Sequence, residues 1–264
     1  MKIIAWFSCG ITSAVACKLA LDEYGKDNVD IVYIGIKSAH EDNARFIKDC
    51  EKWYGKEIKT HKSKKYEDQF EVIEQTKYVN GANGARCTLE LKKQVRFDIQ
   101  KKFQYDAQIF GFEFSVKEIN RSLRFKEQYP ETNPLFPLID FKLNKDQCAN
   151  IAIKVGIGLP TMYKLGYNNN NCIGCVKGGK GYWNKIRKDF PEHFKRMAEL
   201  EREVGRTCLK TLNSKTKETE YIYLDELNPK AGRFQKEVMP DCGSLCDIKY
   251  ADIIKPETME IFNE

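Results

Sequence analysis

The chain has 264 residues, 42% of them hydrophobic and 31% charged, a net charge of +6 and ten cysteines. That length suits one large domain, or a core domain with an appendage. Its apolar runs are strand-sized, well short of the roughly 20 residues that span a bilayer, so no membrane segment is expected. Met1-Lys2-Ile3-Ile4 runs straight into a strand with no small-residue cleavage site, so a signal peptide is not expected either and a cytoplasmic setting is. There, ten cysteines point to metal ligands, redox thiols and buried apolar residues in place of a disulfide scaffold.

In chain order, Ile3 to Phe7 predicts a buried strand ending in Ser8-Cys9-Gly10, and Ser13 to Tyr24 has helical spacing. Ile31 to Ile36 predicts a second strand, Asp42 to Tyr54 an amphipathic helix, and Ala107 to Phe112 a further strand. Strands separated by helices imply a parallel sheet with crossover helices. Glu118 to Pro134 reads as a polar stretch, and Asn144 to Val155 as a helix with Asn144 as N-cap. Tyr163 to Gly181, rich in Asn, Gly, Lys and Cys, predicts an irregular loop, and Tyr182 to Val204 a helix interrupted at Pro191.

Between the first strand and the first helix lies Ser8-Cys9-Gly10-Ile11-Thr12-Ser13. Backbone N–H groups and a helix dipole converge at such a junction on an anion, small residues let the backbone approach phosphate, and Ser8, Thr12 and Ser13 add hydroxyls. No Lys follows the last glycine, so this is not a Walker A loop. It resembles the PP-loop superfamily, whose loop reads Ser-Gly-Gly-x-Asp-Ser. Ser8, Gly10 and Ser13 match, Cys9 stands for the middle Gly, and Thr12 stands for the Asp that the usual metal–pyrophosphate arrangement needs.

Further segments resemble PAPS reductase-like proteins within that superfamily, in order over roughly the first 200 residues. They are Ile34-Gly35-Ile36 with His40-Glu41-Asp42-Asn43, then Arg86-Cys87 with Lys92, Glu118 with Arg121, and Pro137 to Asp140. The resemblance implies an α/β fold with a parallel PP-loop sheet over residues 1–140 and a helical, cysteine-rich, metal-binding region over residues 141–264. It implies an adenine nucleotide, ATP or a PAPS-like one, held by Ser8, Cys9, Gly10, Thr12, Ser13, Ile36, Glu41, Arg86 and Gly111, with Mg²⁺ as the companion cation. The implied chemistry is adenylation with sulfur transfer, or sulfonucleotide reduction, with Arg121 and Lys92 beside the phosphates.

Cys172-Ile173-Gly174-Cys175 and Cys242-Gly243-Ser244-Leu245-Cys246 are two close cysteine pairs. Two such pairs can supply four thiolates to zinc or an iron–sulfur cluster, with Lys177 and Lys180 offsetting charge. In the resembled family some reductases hold a 4Fe–4S cluster through a cysteine pair and a later CxxC, and end in Glu-Cys-Gly. Cys87 falls at the first pair, which Thr88 breaks, and Asp241-Cys242-Gly243 is similar to the ending. Cys242 is thus either ligand or nucleophile, with Cys87 as third ligand in the second case. Cys17 and Cys50 read as core, while Cys148 and Cys208 stay ambiguous.

Lys177 to Arg187 mixes cations, glycines, Tyr182 and Trp183. This stretch either holds phosphate and stacks a base, or places Trp183 in the core beneath solvated cations. The partners expected are an adenine nucleotide, an RNA or small-molecule sulfur acceptor, and a second copy of the chain as a homodimer. The non-enzymatic alternative is a nucleotide- or nucleic-acid-binding module with structural zinc.

Overall fold

The computed structural model describes residues 1–81, 84–212 and 218–233. Five parallel strands form the central sheet: β1 (Ile3–Phe7), β2 (Val29–Ile34), β3 (Ile58–His61), β4 (Ala107–Phe110) and β5 (Pro134–Leu135), in the order β3-β2-β1-β4-β5. β1 is central, with Ala5 opposite Ile31 on one side and Ile109 on the other. The expected α/β fold with a parallel sheet is thus what the chain adopts.

The strand pattern explains the layers. Ile3, Ala5 and Phe7 face α1 (Ile11–Tyr24) and α2 (Asn43–Tyr54) in the larger core, while Ile4 packs with Val95 and Ile99 of α4 (Gln94–Lys102) on the opposite face. Alternate residues of β1 therefore feed two apolar layers, as a sheet covered on both faces demands. Helix α1 is buried nearly all round, which fits a run of Ala, Val and Leu with almost no amphipathic bias.

The polar stretch at 118–134 is mostly helix, α5 (Val116–Gln128), with Ser115 accepting from Glu118 N as N-cap. Its Phe125 joins a small aromatic cluster with Phe110, Phe112 and Phe136. Helix α6 (Lys145–Lys154) starts with a capping box in which Asn144 and Gln147 bond each other's backbone N–H at 2.9 and 2.8 Å. The helix interrupted by proline is two helices, α7 (Lys180–Asp189) and α8 (Pro191–Val204), with Pro191 at the first helical position where its missing N–H is harmless. An antiparallel pair follows, β6 (Leu209–Leu212) with β7 (Thr219–Ile222).

A second core gathers Tyr167, Ile173, Trp183, Met197 and Leu224, and also Phe70 and Ile73 of α3 (Gln69–Thr76). Conversely Cys148 and Ile151 of α6 belong to the first core. The two cores interleave across residue 140. Among the described residues no helix is long and apolar enough to cross a membrane.

Candidate functional site

The chain leaves β1 toward β2 on one side, and β4 lies on the other, so the strand order reverses at β1. Open α/β sheets bind ligands outside the carboxyl ends of the strands at this switch point. The loop Ser8–Ser13 occupies it.

The loop is shaped from within. Ser13 Oγ accepts from Ser8 N at 3.0 Å and Ser8 Oγ at 2.9 Å, and donates to Gly10 O at 2.8 Å. Ser13 thus spends its one proton on closing the loop, so its part is to shape the cradle. Cys9 has φ +60°, a left-handed conformation that favours glycine, at the position where the resembled loop has Gly. Its thiol is fully buried and points to Asn43 O at 3.7 Å, and burial pushes it up to about 12, with Asp42 adding to the shift. Cys9 therefore offers a ligand its backbone only.

Helix α1 begins at Gly10 with no side-chain cap and no acidic residue in its first turn. The N–H groups of its first turn have no intrahelical partner, and those beyond Ile11 are placed to meet an anion with the helix dipole behind them. Across the crevice stands Gly111, just past β4. A Cβ there would lie 2.7 Å from Ser13 Cα and 2.8 Å from Ser13 N, so only glycine lets β4 meet the start of α1. Tyr163 reaches the other flank, its hydroxyl accepting from Ile11 N at 3.4 Å.

Glu113, two residues beyond Gly111, has a buried carboxylate oxygen without a hydrogen-bond partner, and burial raises its pKa with Glu118 and Asp146 adding and Lys145 opposing. It escaped the sequence reading; an acid directly after a buried strand at the switch point is the signal that could have found it. Arg121 is exposed, pairs with Glu118 at 3.0 Å and stacks over Phe112 at 4.3 Å, which keeps it on this rim.

The segment Asn168–Cys175 folds over the neighbouring strand ends. Asn170 Nδ2 donates to Cys9 O at 2.6 Å and to Asn43 Oδ1 at 2.7 Å, Ile173 N donates to Ser38 O at 2.9 Å, and Gln69 donates to Ile173 O at 2.8 Å. Tyr182 closes the CxxC turn: its hydroxyl accepts from Cys175 N at 2.9 Å and donates to Cys172 O at 3.3 Å, while Gly174 takes φ +76°. Cys87 lies against the same group. It shares an apolar cluster with Ile36 and Cys172, and burial pushes its thiol up to about 11, with Cys175 and Cys172 adding and Lys177 and Lys92 opposing. Cys208 is buried in the second core, against which Cys87 also packs, and burial raises its thiol. Cys208 is the member of this group that spacing concealed, because its partners are 33 and more residues away in sequence.

Cys87, Cys172, Cys175 and Cys208 therefore share one locale. Yet among the described residues no three Cys, His, Asp or Glu side chains are grouped so as to hold a metal ion. As placed, the thiols are neighbours and not a coordination shell. Cys242 and Cys246 lie outside the described residues.

The remaining site residues divide. Lys92 follows Cys87 on the π-helical turn Leu89–Lys93 and bears on both Cys87 and Cys175. Ile36 is buried beside Cys87 and Cys172. Glu41 is exposed in the turn before α2, and Arg86 is exposed and bound to Glu90 at 2.6 Å, so the structure joins neither to the loop. Trp183 is fully buried in the second core, which settles the open reading of that stretch against base stacking by this ring.

No family model matches the chain, and no curated protein does. Among solved structures, a phosphoadenylyl-sulfate (PAPS) reductase from Candida auris, in its phosphate complex, is similar with a TM-score of 0.47 and 13% identity, over 64% of this chain and 79% of that one.

Proposed function

We propose that this chain is an enzyme that binds an adenine nucleotide with its phosphates on the Ser8–Ser13 loop and transfers sulfur to an acceptor activated by adenylation. The observation that carries the reading is the junction at Asn170. This side chain ties the thiol-bearing segment to the carbonyl of Cys9, so the thiols stand next to the phosphate cradle.

In this mechanism the uncapped first turn of α1 stabilises negative charge on the phosphates. An acceptor oxygen attacks the α-phosphorus, and the bond to pyrophosphate breaks with its electron pair leaving on pyrophosphate. A sulfur nucleophile then displaces AMP from the activated atom. Cys175 carries that sulfur as a persulfide received from an external persulfide donor, whose own thiol leaves. After the terminal sulfur has displaced AMP, Cys87 attacks Cys175 Sγ, and the S–S bond breaks with its electrons on the thiolated product. An external thiol reduces the resulting Cys87–Cys175 disulfide, while Lys92 and Lys177 favour the thiolate forms that burial opposes.

Two assays on the full chain test this. Parent protein binds a fluorescent ATP analogue and releases pyrophosphate with acceptor present, while Gly111→Val binds at least tenfold less, because a side chain there collides with Ser13. Cys175→Ala keeps nucleotide affinity and loses sulfur transfer. Sulfite release from PAPS without pyrophosphate release would replace the adenylating reading by a reductase. No binding of either nucleotide would end both.

A further inference from the structure

Beside the cysteine segment lies a cavity of about 690 Å³. Lys177 of the loop before α7, Lys180 at the start of α7, Lys210 of β6, and Arg233 line it, together with Cys175 and Tyr182. Four cations from three separate segments meet there, and its described lining contains no Asp or Glu. Collecting like charges around one concavity raises its potential and disfavours the fold unless an anion returns the energy.

The convergence is built into the backbone. A Cβ on Gly232 would lie 2.2 Å from Gly181 N, so glycine alone lets the chain before Arg233 come down on the start of α7. A Cβ on Gly178 would lie 1.9 Å from the Tyr182 ring, so the Lys177 loop lies flat on that tyrosine. The ring is in turn fixed by its hydroxyl on the CxxC turn, which places the cations and the thiol in one frame.

We propose that this cavity binds a phosphate ester, the anionic group of the acceptor, beside Cys175. The volume lies in the range of small-molecule sites, about 300 to 1,000 Å³. Phosphate is favoured over a nucleobase as the recognised group because the two rings that line the cavity are covered: Tyr167 is fully buried, and Gly178 lies on the Tyr182 ring. Calling the ligand an acceptor rests on the function proposed above; anion binding here does not.

The test uses full-length protein and two probes, inorganic pyrophosphate by calorimetry and a labelled single-stranded oligoribonucleotide by anisotropy. Both are titrated with the loop presaturated by a non-hydrolysable ATP analogue. Lys210 is exposed on a strand, so Lys210→Glu is expected to fold, with Arg233→Gln, also exposed, as a second variant and circular dichroism as the check. Each variant is expected to weaken the anion probe roughly tenfold or more, the scale of a lost charged hydrogen bond, and to leave affinity for the ATP analogue unchanged. Response of pyrophosphate alone identifies a small phosphorylated acceptor, and response of both probes identifies a nucleic-acid strand. Equal binding by parent and variants, or no binding by the parent, overturns the proposal. Loss of anion binding in the variants of a protein that never bound ATP would keep the cavity and remove the nucleotide reading.

Discussion

Cys9 shows how a departure from a familiar loop is absorbed by one residue. Its left-handed backbone carries the kind of strain worth roughly 1 to 3 kcal/mol in a non-glycine residue, and its buried thiol fills a place in the core. Cys9→Gly relieves the first and loses the second, so near-parental stability and intact nucleotide binding are expected. Cys9→Val puts a β-branched side chain where φ is positive, and a loss of about 2 kcal/mol or more, with loss of binding, is expected in urea titration and nucleotide assays. Equal behaviour of the two variants would show that the backbone conformation is irrelevant. Glu113 makes a prediction of opposite sign. Burial raises its pKa, so the folded state holds its proton better than the unfolded chain does, where the value is about 4.3. Its contribution favours folding below that value and is lost as pH rises through the folded pKa. Glu113→Gln should therefore melt higher than the parent at pH 7, with the gain shrinking toward pH 4. A gain independent of pH would reject the ionisation argument.

At the scale of elements, Glu201 holds the end of the molecule together. The residue is fully buried on α8, and its carboxylate accepts from Leu224 N at 2.8 Å and from Cys208 N. It thus fastens both Cys208, just before β6, and the turn before Leu227. Glu201→Ala strands two buried donors, and a loss of about 2 to 4 kcal/mol is expected from denaturant unfolding. Glu201→Gln keeps an acceptor oxygen for one donor and should lose less. Elements of this kind were only partly legible in the sequence. β1, β2, α2 and α6 were, because apolar periodicity and a local capping box are written within a dozen residues. Helix α5 was not, because its exposed, charged surface hides the stripe through which Phe125 meets the aromatic cluster. Among the site residues, the loop was legible as strand, small residues and helix. Gly111 was placed there by resemblance, and its reason, the close approach to Ser13, is a contact across about a hundred residues. Cys208 could not be seen, since nothing near it in sequence marks a site.

The whole molecule raises the question of whether it unfolds as one unit. Composition changes near residue 140, yet helix α6 from beyond that point is built into the first core, and α3 from before it is built into the second. Removing either half would expose apolar surface of both. Across residue 140 run polar ties, Gln69 to Ile173 and Asn170 to Asn43, which cost more when half-broken than they contribute intact. A single cooperative transition is therefore expected, with calorimetric and van't Hoff enthalpies equal. A ligand on the loop should raise the midpoint of that one transition, by about 2.7 kcal/mol of stability at a hundredfold excess over its dissociation constant. Asn170→Ala cuts the tie between loop and cysteine segment while leaving both cores packed. It is expected to keep the single transition but lower the nucleotide-induced shift, because the cradle loses the contact on the Cys9 carbonyl. Two separate transitions in the parent, only one of them moved by nucleotide, would mean that the interleaved helices do not couple the halves.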